Sequence, residues 1–257
     1  MYTIISPAKN QAKKITPPDL QYSSVTFPQE IIELVGLIKH YSEKDLENLM
    51  TVSSKIASLN LQRFANFNIT DLNCPASYPA GFLFQGDVYK KLDVASWSDA
   101  DCEYGQIHLG ILSGLYGWLR ILDKIQYYRL EMKTKLSNQY GANLYQFWGD
   151  KISKAIADHM HNNSLDSLVN LASQEYFKVI NIKTFPYAII QVDFKEQGPN
   201  GLRIVAVKAK RARGAMARFI VKNKVSDING LKFFCEDRYQ FSKSHSQEHH
   251  LVFIQGQ

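Results

Sequence analysis

Apolar and polar positions follow two rhythms along this chain. Tyr2–Ile5 is a short run closed by Ser6-Pro7, which predicts a buried first strand. From Pro28, Ile31, Leu34, Val35 and Ile38 recur at intervals of three and four, the spacing of a helix with one buried face. Ser42 with Asp45 has the form of a helix cap, and the helix it opens runs through Leu46, Leu49 and Met50. A third helix is predicted over Ser53–Phe64, a fourth from Ser98-Asp-Ala-Asp to near Leu112, and a fifth over 143–160. Residues 10–28, with Pro17, Pro18 and Pro28, read as a loop, as do 66–81.

The later half changes rhythm. Leu168–Leu171 and Phe185–Phe194 are strand-like, and Gly198-Pro-Asn-Gly201 is a turn signal between alternating runs. Tyr187–Phe194 and Leu202–Val207 are therefore expected to form a hairpin, and Leu251–Ile254 a last strand. The expected architecture is a mixed α/β (α+β) fold in one domain over 1–257, with helices clustered early and strands late.

Composition narrows the class. In 257 residues, 45% are hydrophobic and 21% charged, enough to close a full core. No apolar run approaches the ~20 residues of a membrane span, so no membrane partner is expected, and MYTIISPAK reads as a strand, not a signal peptide. Cys74, Cys102 and Cys235 lack zinc or redox spacing, which suits reduced thiols in the cytoplasm. His245, Glu248, His249 and His250 have metal-ligand types but lie in a polar segment that reads as a solvated tail. Neither metal nor cofactor is expected. There is no Walker A loop, no GxGxxG and no nucleophile elbow.

Charge changes the picture most. The chain carries +6, yet Gln197–Ser226 alone holds eight basic residues and no acidic one. On a helix over 208–222, Lys208, Arg211, Ala215, Arg218 and Lys222 make one stripe, and Ala209, Ala212, Met216, Phe219 and Ile220 make an apolar one. Lys210 and Arg213 belong to the same block. Three readings compete: a solvated face whose charges are offset by carboxylates elsewhere, a face that meets nucleic-acid phosphates, or one that takes small phosphorylated ligands or acidic partners. The small residues between the charges would let a polyanion's backbone approach, and the helix lacks the bulky apolar anchors of a membrane-surface helix.

Other stretches offer candidate chemistry. In LSGLYGWLR, Gly114, Leu115, Tyr116 and Gly117 lie between apolar segments, with Arg120 following. A glycine turn that exposes backbone N–H groups before a new helix would be an anion site. Lys9 follows the first strand. Asp87 and Tyr89 lie beside a glycine in FQGDVY, and Glu175 follows a strand in NLASQEYFK. These three are the acid/base candidates for an enzyme, with capped turns and core packing as the plainer alternative. Arg129 and Glu131 in YRLEM read as a structural ion pair.

Taken in order, SPAK (6–9), GDVY (86–89), LSGLYGWLR (112–120), YRLEM (128–132), LYQFWGD (144–150), NLAS-EYFK (170–178) and ARG-M-RFI (212–220) resemble the YaaA family of peroxide stress resistance proteins. The resemblance spans nearly the whole chain. It implies a cytoplasmic bacterial protein that limits peroxide damage to DNA, with a link to lower free iron. It also implies sequence-independent binding of double-stranded or branched DNA through a positive cleft and a helix-hairpin-helix element, on a fold of its own. Carried onto this chain, Gly114–Gly117 become the hairpin, and Lys9, Lys210, Arg211, Arg213 and Arg218 become cleft-wall candidates, alongside Arg120, Lys208 and Lys222. The chain departs from the pattern at Gln85 (for Lys), Ile121 and Tyr127 (for Pro) and Gln174 (for Asp). The missing prolines should loosen the hairpin exit. The alternative function is an enzyme acting on a nucleic-acid or nucleotide substrate in a basic cleft.

Overall fold

The computed structural model describes residues 1–16, 19–199 and 201–256. Pro17, Pro18 and the Asn200 of the expected turn lie outside them. The strands of the main sheet are β1 (Tyr2–Ile5), β2 (Leu109–Ser113), β3 (Gly117–Arg120), β4 (Ser167–Asn170), β5 (Ala188–Gly198), β6 (Gly201–Arg203), β7 (Tyr239–Phe241) and β8 (His250–Gln255). Their order is β7-β8-β5-β4-β1-β2-β3, with β6 paired to β5. The five inner strands β8, β5, β4, β1 and β2 run parallel, and β3, β6 and β7 are antiparallel additions. This is the mixed α/β fold that the patterning predicts.

Parallel strands must be covered on both faces, and the helices supply the cover. The main helices of the fold, not all of which lie on the sheet, are α1 (Pro28–Ile38), α2 (Glu43–Met50), α3 (Ser54–Ala65), α4 (Asp87–Leu92), α5 (Asp99–His108), α6 (Leu144–Trp148), α7 (Lys151–Asn162), α8 (Gln174–Phe177) and α9 (Ala206–Lys222). The Ser42 and Ser98 caps form as full capping boxes with Asp45 and Asp101. The helix expected over 143–160 is split in two at Gly149, whose φ of +46° is left-handed backbone that only glycine adopts freely. One continuous hydrophobic core joins the sheet to these helices.

The largest correction falls on 109–120. The expected helix ends at His108, and Leu109–Ser113 with Gly117–Arg120 form a β-hairpin, pairing Ser113 with Gly117. A strand buried on both faces reads as an unbroken apolar run, and such a run has no period with which to announce itself. The helix-hairpin-helix-like element is therefore a sheet hairpin. Its exit is held by packing despite the missing prolines: Ile121 is fully buried against Gly81 and Gly105, and the Tyr127 hydroxyl donates to the Ala12 carbonyl at 2.6 Å.

The chain runs from β1 to β2 on one side, then crosses to β4 on the other. This reversal puts the carboxyl ends of β1 and β4 beside a crevice, the usual ligand position in sheets of this kind. Ser6–Lys9 leave β1 there, and Ser173–Glu175 follow β4.

Candidate functional site

The two loops at that edge are tied together. The Ser6 hydroxyl accepts from the Ser173 backbone N–H at 2.9 Å, and the Ser6 carbonyl accepts from the Tyr89 hydroxyl at 3.0 Å. Tyr89 is buried, burial pushes its phenol well above the ordinary value, and its hydroxyl braces the loop through the Ser6 carbonyl. Asp87, at the start of α4, is half-buried, and its side chain makes no hydrogen bond or ion pair among the described residues. The Glu175 carboxylate accepts from the Lys133 backbone N–H at 3.4 Å.

Beside these loops opens a cleft of about 760 Å³. One wall is the segment 129–135, in which Arg129, Glu131, Lys133 and Lys135 alternate with the buried Leu130, Met132 and Thr134. Lys9 closes on it from the end of β1. The Lys9 ammonium and the Arg129 guanidinium each lie 3.1 Å from the same oxygen of Glu131, and the Lys133 ammonium lies 3.6 Å from the other. Burial alone would raise the Glu131 carboxyl. Its hydrogen bonds to Lys9 and Arg129 outweigh that and hold it below the ordinary carboxylate value. The opposite wall comes from α2 and its approach, with Tyr41, Leu49 and Met50. Asp45 also lines the cleft, but its carboxylate is committed to capping α2. Four cations against Glu131 and Asp45 leave the cleft at +2.

Of the residues singled out in the sequence, Lys9, Arg129 and Glu131 come together in this cleft, and Glu175 touches its wall through Lys133. Lys133 and Lys135 were not anticipated, although the alternation in R-L-E-M-K-T-K-L marks a segment with one charged face.

Gly114, Leu115, Tyr116 and Gly117 are all buried. A Cβ at Gly114 would lie 2.4 Å from the Leu130 carbonyl oxygen, and one at Gly117 would lie 2.7 Å from the Trp148 ring. The glycines thus admit the YRLEM segment and Trp148, and present no backbone amides to a phosphate. Arg120 is committed to the buried Asp123, with its guanidinium 2.8 Å from that carboxylate.

The basic helix is also differently employed. Lys208 lies 2.6 Å from Glu196, Arg218 2.7 Å from Glu236, and Lys222 2.8 Å from Asp101. Three of the four charges on the stripe thus have protein carboxylates as partners, the plainest of the three readings. Ala215, in the middle of the stripe, is fully buried, and a Cβ at Gly214 would stand 2.0 Å from the Val88 carbonyl oxygen. The backbone that approaches the small residues is α4, not a polyanion. Arg213 is half-buried, with its Nε unpartnered and its charge facing Asp193. Lys210 and Arg211 are exposed and make no ion pair among the described residues.

His250 lies 3.0 Å from Asp193, and His245 bonds Ser242 and Ser244. Among the described residues no three His, Cys, Asp or Glu side chains are placed to hold a metal ion, and no helix is long and apolar enough to cross a membrane.

Comparison with known proteins agrees with the motifs. The profile of a family described as peroxide stress protein YaaA matches residues 1–245. A UPF0246 protein of Legionella pneumophila (strain Lens) is 42% identical over 254 residues, covering 99% of both chains. UPF0246 proteins of Saccharophagus degradans and Aliivibrio fischeri (strain ATCC 700601 / ES114) are 40% and 42% identical, over 100% of both chains and over 98% and 97% respectively. With its motifs in order and similarity along its length, the chain belongs to the YaaA family of peroxide stress proteins.

Proposed function

We propose that this member of a peroxide stress family is a cytoplasmic protein that binds DNA without regard to sequence, seating phosphates in the cleft of Lys9, Arg129, Lys133 and Lys135. In that role it would limit peroxide damage to DNA. One observation carries the reading: three cations meet on one carboxylate at the carboxyl edge of a parallel sheet, with Lys135 lining the same cleft. Lys9 and Lys133 are open to solvent and share the single Glu131 carboxylate with Arg129, which leaves an excess of positive charge to meet a phosphate, whereas most charges of the α9 stripe have a carboxylate each. Phosphate contacts of this kind give affinity without base readout. Fluorescence anisotropy on two duplexes of unrelated sequence tests it. Equal affinities that fall steeply with salt are expected, and a strong sequence preference or salt-insensitive binding would sink the reading.

A second reading, an enzyme acting on a nucleic-acid or nucleotide substrate, is favoured by the unpartnered Asp87 near the Ser6 loop. It requires turnover that disappears in Asp87→Asn while binding persists. Absence of turnover over hours removes it.

A further inference from the structure

The three cations that meet on Glu131 form a point, not a track. Lys9 and Arg129 share a single carboxylate oxygen, and Lys133 approaches the other. Nitrogens held on one carboxylate are close enough to act together on one tetrahedral anion. The diester phosphates of a strand instead follow one another about every 3.4 Å of axis and call for cations spread along a groove.

The donors needed for such an anion are left over. Each ammonium has three N–H donors, and Glu131 is the sole side-chain partner of Lys9 and of Lys133 among the described residues. The two lysine side chains are 60% and 64% exposed, above a Glu131 side chain that is 10% exposed. Spare donors therefore sit at the mouth, over a carboxylate that holds both ammonium groups. Arg129 beneath them keeps its buried Nε without a hydrogen-bond partner among the described residues.

The facing wall is of a different kind. Tyr41, Leu49 and Met50, set among the polar Asp45, Asn48 and Thr51, offer an aromatic ring and two apolar chains on the wall formed by α2 and its flanks. The volume of about 760 Å³ is that of a small-ligand pocket. A charged end beside a wall of mixed apolar and polar groups, in a pocket of this size, matches a phosphate joined to a base and sugar.

We propose that the cleft seats a terminal phosphomonoester on a nucleoside, either the phosphorylated end of a nucleic-acid strand or a free nucleotide. Lys9 and Lys133 hold the phosphate, Glu131 positions the two lysines, and Tyr41 with Leu49 and Met50 covers the base. This rests on the reading of the cleft as a phosphate site and narrows it from diester to monoester. The two groups differ in charge: a monoester carries about −1.5 to −2 at neutral pH and loses its second charge below about pH 6, whereas a diester keeps one charge throughout.

The test uses one duplex with phosphate or hydroxyl ends, read by anisotropy, and a nucleoside monophosphate against its parent nucleoside, read by calorimetry. The phosphorylated form of at least one pair should bind on the order of tenfold tighter, the gain expected from one or two added charge-assisted hydrogen bonds. That preference should vanish in Lys9→Gln/Lys133→Gln, which keeps the aliphatic stems, and should shrink between about pH 7.5 and about pH 5.5 as the monoester protonates. A preference seen only in the duplex pair identifies a strand end, and one seen with the mononucleotide identifies a free nucleotide; either supports the site. Equal affinity for both duplexes with no mononucleotide binding overturns the monoester and leaves the DNA reading standing. If nothing binds, both fall. A preference that survives in the lysine variant also overturns the proposal, provided the variant melts as wild type does.

Discussion

Lys222 and Asp101 stand 2.8 Å apart, one at the end of the basic helix and the other in the cap of α5. Lys224 reaches the second oxygen of Asp101 at 3.1 Å. These bonds, that of Lys222 first, hold the Asp101 carboxyl well below the ordinary carboxylate value. A depressed folded pKa contributes stability that is present above the unfolded value and is lost as pH falls through the folded one. Lys222→Ala/Lys224→Ala should therefore cost about 0.5–1 kcal/mol at neutral pH, the range of partly exposed pairs. The cost should shrink as the solution is acidified below about pH 4. Urea melts across pH would show it, and a cost that grows on acidification would contradict the pairing.

Gly214 and Gly36 make an informative pair. Both lie inside helices, but a Cβ at Gly214 would meet the Val88 carbonyl oxygen, while one at Gly36 meets nothing within 4 Å. Gly214→Ala should push α9 off α4 and destabilise by about 1–3 kcal/mol or more. Gly36→Ala should stabilise by about 0.5–1 kcal/mol, because alanine loses less backbone entropy in a helix. Thermal melts of the two variants shift in opposite directions on this account.

Tyr89→Phe removes the hydroxyl that donates to the Ser6 carbonyl. Leaving that acceptor short of a partner should cost about 1–2 kcal/mol. DNA affinity should change little where stability permits comparison, since the buried phenol does not reach the cleft wall. A large loss of affinity in a folded Tyr89→Phe protein would return this residue to the site.

The sequence and the structure part company for physical reasons. Both capping boxes and the presence of a hairpin here were legible, because each is encoded within a few neighbouring residues, but the hairpin pairs Glu196–Gly198 with Gly201–Arg203, and Ala206 and Val207 of the expected second strand open α9 instead. The strand at 109–113 was not, since burial of all five residues leaves only a continuous apolar run. The partners that neutralise the basic helix were also out of reach. Glu196 lies 12 positions from Lys208, and Asp101 lies 121 positions from Lys222, so the fold alone brings them together. The cleft was half visible. Lys9, Arg129 and Glu131 stood out, but nothing local said that Lys9 would cross to Glu131 and turn a two-residue ion pair into a cluster.

The most direct test compares two triple variants in a salt titration of duplex affinity. If the cleft holds the phosphates, Lys9→Ala/Lys133→Ala/Lys135→Ala should flatten the log–log slope by about 1.8, at about 0.9 each for one phosphate shared by Lys9 and Lys133 and one met by Lys135. Lys208→Ala/Arg218→Ala/Lys222→Ala should leave the slope close to that of the wild type, because those charges already face Glu196, Glu236 and Asp101. The reverse pattern, an unchanged slope in the cleft variant and a flattened one in the helix variant, would contradict the account and move the DNA onto α9.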